Sequence, residues 1–332
     1  MRRARDYASA LIGLALTAGL LALAVRNVKF NELWEVLRGA RLRWIAAMAM
    51  VSLVDLVIRS VRWKLLLSRS NKDASAFLLF RLEAVGLAMN NVLFMRLGEL
   101  ARAILAAREL SIPVATALAS VAVERALDVT ALLTLFCVAG SSLPGFVDAR
   151  FLRAAFAVLG GCLAVLAALA FAEERLESGH RWEKTLRGWP TVHRLVSQLA
   201  AGASVLRRPQ AASQAAVLSL MLWSVDGWAY WAGARALNLS AFIDYPRSIL
   251  ILSWAGAAAA IPTAPGGFGS FELVVQTLVT KLGATSQQAL GYALFNHMVG
   301  YIVVTLMGLV FLWQVGLSLG ELKAALEREK SR

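Results

Sequence analysis

Ile261-Pro262-Thr263-Ala264-Pro265-Gly266-Gly267-Phe268-Gly269-Ser270-Phe271-Glu272 is a helix-breaking stretch inside an apolar region that extends from about residue 248 to 280. The prolines end a helix because they lack a backbone N–H, and the three glycines permit a turn with positive φ. Unpaired backbone groups are costly in hydrocarbon, so a broken segment there must be buried in protein or line a wet cavity. The stretch therefore predicts a discontinuous membrane helix, a feature that marks binding sites in transporters.

The overall composition is also that of a membrane protein. Hydrophobic residues make up 59% of the 332 residues and the mean hydropathy is +0.64, well above the roughly half apolar share of soluble domains. The net charge of +13 does not indicate nucleic-acid binding, because no basic run alternates with aromatic residues. Cys137, Cys162 and the three histidines lack the spacing of a metal or redox site. We therefore expect no cofactor and no metal.

Six apolar segments are long enough to cross a bilayer alone, since a helical span needs about 20 residues. They lie near 8–25, 44–60, 112–138, 152–172, 211–236 and 289–316. Two further regions, about 76–108 and 248–280, are interrupted near their middles, and we interpret each as a re-entrant hairpin of two half-helices. The predicted fold is an all-α polytopic membrane protein with about six full transmembrane helices and two hairpins, forming a single domain over residues 1–332.

The distribution of Lys and Arg orients this topology, because cytoplasmic loops carry the excess. With the N-terminus inside, the predicted cytoplasmic segments hold 23 of the 34 Lys and Arg, and the opposite side holds 10. The segments are 1–7, 59–81, 96–110, 173–210 and 317–332, of which 173–210 is the largest polar loop. Both termini are predicted to be cytoplasmic, with the hairpins entering from opposite sides. The basic N-terminus also matches a secretory signal, but we expect a retained first helix.

Asp55, Arg59 and Arg62 share one face of the second predicted helix, at positions i, i+4 and i+7. A charge within a span costs at least about 2.5 kcal/mol on insertion scales and usually faces a partner or a water-filled cavity. We expect Arg59 to pair with Asp55. An anchoring role at the membrane interface is the alternative for Arg62.

Glu124, Arg125 and Asp128 place three charges near the middle of an Ala-, Val- and Leu-rich span. Glu124 and Asp128 lie one turn apart on the same face. They are predicted acceptors for four arginines, Arg59, Arg62, Arg96 and Arg102. A purely structural salt-bridge core is the alternative to a substrate site.

The first hairpin carries a charge ladder of Arg96, Glu99 and Arg102 after a break at Asn90 and Asn91. The asparagines can bond backbone groups freed at the break, and Gly98 permits close helix packing. If the segment were merely a cytoplasmic loop, its charges would form a solvated face.

In the second hairpin, the turn at Pro265, Gly266, Gly267 and Gly269 precedes a half-helix that Ser270 could cap. The helix N-terminus would suit a phosphate or another anion, and Glu272 could stabilise that end or pair with an arginine. Secondary candidates for the site are Asp226, Asn296 and His297, together with Asp55. His297 could titrate near neutral pH or serve as a structural histidine.

Four motifs stand in order along the chain: Arg59-x-x-Arg62-Trp63-x-x-Leu66-Leu67, Asn90 through Arg96-x-Gly98-Glu99-x-x-Arg102, Glu124-Arg125-x-x-Asp128, and Pro262-x-x-Pro265-Gly266-Gly267-x-Gly269-x-x-Glu272. Together they resemble the transmembrane family of lysylphosphatidylglycerol synthases, which are flippase-like membrane proteins. The resemblance covers about residues 44–310. It implies a multi-pass protein of the cell inner membrane that moves lipids between leaflets, here a stand-alone member without the soluble synthase domain.

The resemblance and the charges together predict a lipid flippase or scramblase for a phospholipid or a lipid-linked glyco- or hopanoid-type substrate. The arginines and the Gly266–Ser270 turn would hold a lipid phosphate, and the carboxylates would balance the arginines. The expected partners are membrane lipids, anionic or phosphate-containing, with no nucleic acid; an enzyme of lipid synthesis and a homo-oligomer are both compatible with the sequence. The alternatives are a membrane enzyme or accessory subunit of lipid or lipid-linked-sugar modification, and a structural scaffold. Because no catalytic motif is recognisable, an enzyme is not expected.

Overall fold

The computed structural model describes residues 15–26, 28–71, 73–93, 97–177, 190–259, 261 and 265–314. All regular elements in these ranges are helical, which confirms the predicted all-α class. The helices are α1 (Ala15–Val25), α2 (Phe30–Arg38), α3 (Leu42–Leu67), α4 (Ala76–Val92), α5 (Leu97–Leu110), α6 (Val114–Ser142), α7 (Ala149–Glu177), α8 (Pro190–Ala203), α9 (Pro209–Ala236), α10 (Tyr245–Ala258), α11 (Ser270–Lys281) and α12 (Ser286–Gln314). Arg96 and the two chain termini lie outside the described residues.

Among the described residues, three helical segments are long and apolar enough to cross a membrane: Leu42–Leu67, Ala149–Ala172 and Ser286–Gln314. They coincide with three of the six predicted spans. The other three predicted spans correspond to α1, α6 and α9. The number of crossings, the re-entrant character of the hairpins and the cytoplasmic termini stay predictions.

Both interruptions predicted from the sequence separate helices. In the first hairpin α4 ends at Val92 and α5 begins at Leu97. In the second, α10 ends at Ala258 and α11 begins at Ser270, and a 3₁₀ turn at Pro265–Gly267 lies between them. Asn90 and Asn91 lie within the last turn of α4, and the glycines of the second interruption precede α11, as their tolerance of positive φ predicts.

The chain divides into two compact units. Unit 1 comprises Met1–Asp55, Ala84–Gly98 and Ser224–Leu317, and unit 2 comprises Leu56–Glu83, Glu99–Trp223 and Ser318–Arg332. The predicted single-domain organisation stays a prediction.

The core of unit 1 is formed by small and aromatic side chains of α9 to α12. Ala232, Ala255, Val275 and Tyr292 are buried together there. Trp44 packs against this cluster, and its ring centroid lies 5.6 Å from that of Trp231. Burial of this kind contributes about 25 cal/mol per Å² of apolar surface removed from solvent.

In unit 2, α6, α7 and α8 pack against one another. Gly202 of α8 comes so close to α6 that a Cβ there would lie 2.9 Å from the Cβ of Ala119. The described part of the predicted 173–210 loop is thus largely helical, with α8 followed by a 3₁₀ turn at Ser204–Arg207. Val205 and Ala203 are buried in the same cluster as Val123 and Leu127 of α6.

Candidate functional site

Unit 2 contains a network of buried ions built around Arg62, whose side chain is fully buried. Arg62 Nη1 donates to Asp128 Oδ1 at 2.6 Å and to Ser219 Oγ at 2.9 Å. Its Nη2 donates to Glu124 Oε1 at 2.9 Å. The predicted pairing of Arg62 with both carboxylates is confirmed, and the interface-anchor alternative for Arg62 is wrong because the side chain has no exposed surface.

Arg102 forms the second centre of this network. Its Nη2 donates to Glu124 Oε2 at 2.7 Å and its Nη1 donates to Glu83. The guanidinium carbon also lies 4.7 Å from the centroid of the Trp63 ring, a cation–π contact. Glu124 therefore bridges Arg62 and Arg102, and its carboxylate is fully buried. The set Glu83, Arg62, Arg102, Glu124 and Asp128 is called the ion network below.

Arg59 and Arg125 border the network. Arg59 Nη1 is 3.9 Å from Asp128 Oδ2, and its guanidinium lies 6.0 Å from the centroid of the Trp223 ring. Arg125 Nη2 is 3.0 Å from Asp128 Oδ2, Nη1 is 3.8 Å from Glu99 Oε1, and 32% of its side chain is exposed.

The charges of this region balance among the described residues, as four arginines (Arg59, Arg62, Arg102 and Arg125) face four carboxylates (Glu83, Glu99, Glu124 and Asp128). Buried charges persist only when paired in this way. A phosphate entering the ion network would have to displace a carboxylate from Arg62 or Arg102.

At the first break, Asn90 and Asn91 bond backbone groups as predicted. The Gly98 N–H donates to Asn90 Oδ1 at 2.9 Å. Asn91 Nδ2 donates to Thr305 Oγ1 at 2.9 Å and to the Tyr301 carbonyl at 3.5 Å, while the Tyr301 hydroxyl donates to the Asn91 carbonyl at 3.1 Å. The end of α4 is thus tied to α12.

Gly98 lets α5 begin in contact with α4, because a Cβ at this position would overlap the Gly86 carbonyl oxygen. We expect Gly98→Ala to lower the free energy of unfolding by about 1–3 kcal/mol, the usual cost of overpacking. Thermal unfolding of the purified protein in micelles measures this. Gly161→Ala is the matched control, since nothing lies within 4 Å of a Cβ there and alanine favours the helix by up to about 1 kcal/mol. Equal melting temperatures for wild type and Gly98→Ala would contradict the assigned contact.

At the second break the glycines adopt the predicted left-handed backbone. Gly266, Gly267 and Gly269 have φ angles of 75°, 79° and 92°. The predicted Ser270 cap is wrong: Gly269 occupies the N-cap position, and its N–H donates to Glu272 Oε2 at 2.6 Å. The longer glutamate side chain reaches back from the first turn, whereas Ser270 Oγ donates to the Gly267 carbonyl at 3.2 Å.

Glu272 pairs with a histidine of α12 rather than with an arginine. His297 Nδ1 lies 2.6 Å from Glu272 Oε1, and Nε2 lies 2.9 Å from the Gly266 carbonyl oxygen. Its ring stacks on Phe268 with the centroids 4.6 Å apart. Both ring nitrogens therefore have partners, and His297 holds the turn against α12.

Unit 1 also contains a partly open cavity of about 290 Å³, lined by residues of α3, α4, α9, α10, α11 and α12. Six polar residues line it: Ser52, Asp55, Asn91, Asp226, Asn296 and His297. Three aromatic rings, those of Tyr230, Phe271 and Tyr301, complete its polar and aromatic wall, and the remaining lining residues are apolar or glycine. All four secondary candidates of the sequence analysis therefore lie on one cavity. We call it the unit 1 cavity.

Comparison with known proteins decides the family. The profile described as "Lysylphosphatidylglycerol synthase TM region" matches residues 10–308. The chain belongs to this family. It is also 26% identical over 351 aligned residues to glycosyltransferase AglD of Haloferax volcanii, an alignment that covers 92% of the chain and 54% of that protein. The chain thus spans about half the length of this curated relative. No solved structure matches this chain.

The motifs of this member of the lysylphosphatidylglycerol synthase transmembrane family divide between the two units. The ion network brings together Arg62, Arg102, Glu124 and Asp128, with Arg59, Glu99 and Arg125 at its border. Asn90, Gly98 and the Pro265–Glu272 turn belong to unit 1. Arg96 falls outside the described residues, so its predicted role stays a prediction.

Sequence reasoning missed one ion of the network, and in the cavity wall it missed Ser52 and the three aromatic residues Tyr230, Phe271 and Tyr301. Glu83, which is 1% exposed, lies in the apolar first half of α4 and pairs with Arg102. Its charge within an apolar run was a usable signal, since such residues require partners. Tyr230 and Tyr301 carry no comparable signal, because tyrosines in apolar helices are common.

Proposed function

We propose that this family member is a lipid flippase or scramblase-like transporter of the cell inner membrane, with several membrane crossings. The observation that carries the proposal is the unit 1 cavity, which places six polar side chains inside a unit of a membrane protein. Polar groups at membrane depth are costly and commonly mark substrate pathways. The proposed substrate is a phospholipid or a lipid-linked glyco- or hopanoid-type molecule.

In the proposed mechanism the cavity shelters the polar headgroup while the acyl chains remain in the bilayer. In this unit α4 ends at Val92 before α5 begins at Leu97, and α10 ends at Ala258 before α11 begins at Ser270. Discontinuous helices of this kind provide backbone groups and movable half-helices in transporters. The Gly266–Gly269 turn is held by His297 and Glu272 at one wall of the cavity. Release and reformation of this contact is the proposed gating element.

The ion network has a bracing role in this proposal. Its buried arginines are occupied by carboxylates, which favours a fixed structural core for unit 2 over direct phosphate binding by Arg62 or Arg102. Arg125 is the most exposed of the four arginines, and its guanidinium is also paired, with Asp128 at 3.0 Å. It is the proposed contact for a lipid phosphate on unit 2, which would have to replace that carboxylate. We assign no catalytic residue.

Transport is expected to depend on the charge of Asp226. Purified protein is reconstituted into liposomes that contain fluorescent lipids, and quenching from outside reports whether inner-leaflet lipid becomes accessible. With wild-type protein, the fraction of fluorescence that is protected from the quencher should disappear as inner-leaflet lipid reaches the outer leaflet. Asp226→Asn should slow this at least about tenfold, the effect of roughly 1.4 kcal/mol on a barrier, because one cavity carboxylate is neutralised with little change in shape.

The matched control is Asp73→Asn, which neutralises an exposed carboxylate of unit 2 and should move lipid at the wild-type rate. Transport would be refuted if liposomes with wild-type protein kept the full protected fraction of fluorescence with both phospholipid and glycolipid probes. Equal rates for both variants would refute the role of the cavity.

A second candidate is an accessory subunit of a lipid-linked-sugar pathway. It is favoured by the relative named glycosyltransferase AglD, which the chain matches over 92% of its own length. A subunit of this kind would alter sugar transfer by a partner enzyme without moving lipid in liposomes. Sugar-product formation by the purified protein alone would instead indicate an enzyme.

A further inference from the structure

A cluster of three tryptophans lies where the start of α3 meets the end of α9 in unit 1. The Trp44 ring centroid is 6.2 Å from that of Trp228 and 5.6 Å from that of Trp231, and the latter two are 5.9 Å apart. The Arg41 N–H donates to the Ala236 carbonyl at 3.2 Å, which ties the two helix ends together. The described residues that line the unit 1 cavity do not include these tryptophans, so the cluster is a separate feature of the unit.

Two arginines hold their guanidinium groups over the rings of this cluster. The guanidinium carbon of Arg43 lies 5.7 Å from the centroid of the Trp44 ring, and that of Arg235 lies 4.7 Å from the centroid of the Trp231 ring. A cation within about 6 Å of an aromatic face is attracted by the ring quadrupole. Both arginines are exposed. The rings therefore orient two guanidinium groups that remain accessible from outside the protein.

This end of unit 1 carries an excess of positive charge. Residues 26–43 and 235–247 hold seven Lys and Arg and three Asp and Glu. Two of these carboxylates pair with a basic residue three positions away in the chain, at 2.8 and 2.7 Å, in the pairs Lys29–Glu32 and Asp244–Arg247. The two segments thus retain five arginines and one carboxylate, that of Glu35. All five arginines are exposed: Arg26, Arg38, Arg41, Arg43 and Arg235.

The positive-inside rule does not explain this excess. The Lys and Arg distribution predicts that both segments lie on the outer side, and they hold seven of the ten basic residues predicted there. Membrane orientation requires basic residues in cytoplasmic loops, so arginines gathered at an outer end require another cause. Binding of an anion is such a cause.

The phosphate of a lipid headgroup fits this surface. A guanidinium presents a planar fork of N–H donors that binds phosphate oxygens in bidentate fashion. Arg41 and Arg43 flank Leu42, the first residue of α3, which is long and apolar enough to cross a membrane. In a membrane-spanning α3 this turn lies at the level of the lipid headgroups, where tryptophan rings are also enriched. The Leu42 side chain is 76% exposed and offers apolar surface to the adjoining acyl chain.

We infer that the surface formed by Arg41, Arg43, Trp44, Trp231 and Arg235 binds the phosphate of an anionic phospholipid. We call it the Trp–Arg surface. The guanidinium groups are the donors, and the tryptophan rings orient two of them. This inference goes beyond the proposed function, because a lipid held here need not enter the unit 1 cavity or cross the membrane.

Native mass spectrometry of the full-length protein, released from neutral-detergent micelles, measures this binding. Two lipids with identical acyl chains are titrated: phosphatidylglycerol and an uncharged glucosyl diacylglycerol. We expect the tightest phosphatidylglycerol site to have an apparent Kd at least about tenfold lower than that of the glucosyl lipid, because charge-assisted hydrogen bonds are the stronger ones. Inorganic phosphate at the same concentration should not displace the phospholipid, because it lacks the acyl chains.

Joint replacement of Arg43→Gln and Arg235→Gln should weaken the tightest phosphatidylglycerol site at least about tenfold, since both forks are lost. Arg43→Lys with Arg235→Lys keeps the charge and removes the fork, and should weaken the site by about threefold. The matched control is Arg150→Gln with Arg153→Gln. It removes two exposed arginines from the start of α7 in unit 2, on the same predicted side of the membrane, and should bind phosphatidylglycerol as the wild type does.

A phosphatidylglycerol with a photoreactive acyl chain locates the site. After irradiation, the wild-type protein should carry the label in segments 38–44 and 231–236, and the glutamine variant should carry less label there.

The inference is overturned if the glucosyl lipid binds as tightly as phosphatidylglycerol, or if the label is found only in other segments. Equal losses of affinity in the glutamine variant and in the matched control would also overturn it, because net charge alone would then explain binding. Wild-type affinity in the lysine variant would show that no guanidinium fork is involved. Displacement of the phospholipid by inorganic phosphate would assign the surface to free phosphate and refute the lipid assignment.

Discussion

Replacement of Glu124 by alanine is expected to lower the free energy of unfolding by about 3–5 kcal/mol, the cost of breaking a buried ion pair by removal of one partner. Glu124 is fully buried and accepts from Arg62 at 2.9 Å and from Arg102 at 2.7 Å. Alanine would leave both guanidinium groups with one carboxylate partner fewer in a region without solvent. The effect should exceed that of removing any single neutral hydrogen bond in the same unit.

Reversible denaturant titration in mixed micelles, followed by tryptophan fluorescence, measures this loss. Glu109→Ala is the control, because Glu109 is exposed on α5 and its removal should change the free energy by no more than about 0.5 kcal/mol. A double variant with Arg62→Met and Glu124→Met should recover part of the loss, since it removes both charges of one pair. A loss below about 1 kcal/mol for Glu124→Ala would show that the ion network does not stabilise the fold.

The helix breaks were predictable because their causes are local. Pro262, Pro265 and the glycines after them restrict or free the backbone at their own positions, whatever the tertiary contacts. The cap was not predictable to the same degree. Ser270 and Glu272 both stand near the start of α11, and only the path of the backbone at Gly269 places the glutamate oxygen on the free N–H.

The sequence was enough to predict that the buried arginines pair with buried carboxylates, but only partly which arginine pairs with which carboxylate. A buried arginine must find a carboxylate, so Glu124 and Asp128 were expected to accept from Arg59, Arg62, Arg96 or Arg102. The assignment of Glu83 to Arg102 depends on how α4 packs against α5, and a single sequence carries no signal for that packing. The same limit applies to Arg125 and Glu99, which were assigned to separate motifs and lie 3.8 Å apart.

The cavity was predicted only as separate residues. The sequence analysis selected four residues because they are polar in apolar helices: Asp55, Asp226, Asn296 and His297. All four line the cavity. The donor and acceptor balance depends on which hydrogen bonds each side chain already makes. That information arises from folding.

Glu272→Ala is expected to lower the free energy of unfolding by about 2–4 kcal/mol, because it removes two buried acceptors at once. Oε2 receives the Gly269 N–H and Oε1 pairs with His297 Nδ1, each at 2.6 Å. Without them the start of α11 loses its cap, and His297 keeps only the Gly266 carbonyl. Hydrogen–deuterium exchange should accelerate between residues 266 and 272, and the melting temperature should fall. Glu32→Ala, on the exposed face of α2, is the control.

Glu272→Gln separates the hydrogen bonds of this contact from its charge. Glutamine can accept from Gly269 through its oxygen and donate through its amide to His297 Nδ1, while the Nε2–H of a neutral imidazole donates to the Gly266 carbonyl. All three contacts then persist, so Glu272→Gln should lose less than about 1 kcal/mol. If Glu272→Gln is as unstable as Glu272→Ala, the contact requires an ionised pair. If Glu272→Ala keeps the stability and the hydrogen exchange of the wild type, the turn is held by the backbone alone. With the expected result, the turn beside the unit 1 cavity is held by hydrogen bonds that a neutral histidine can also make.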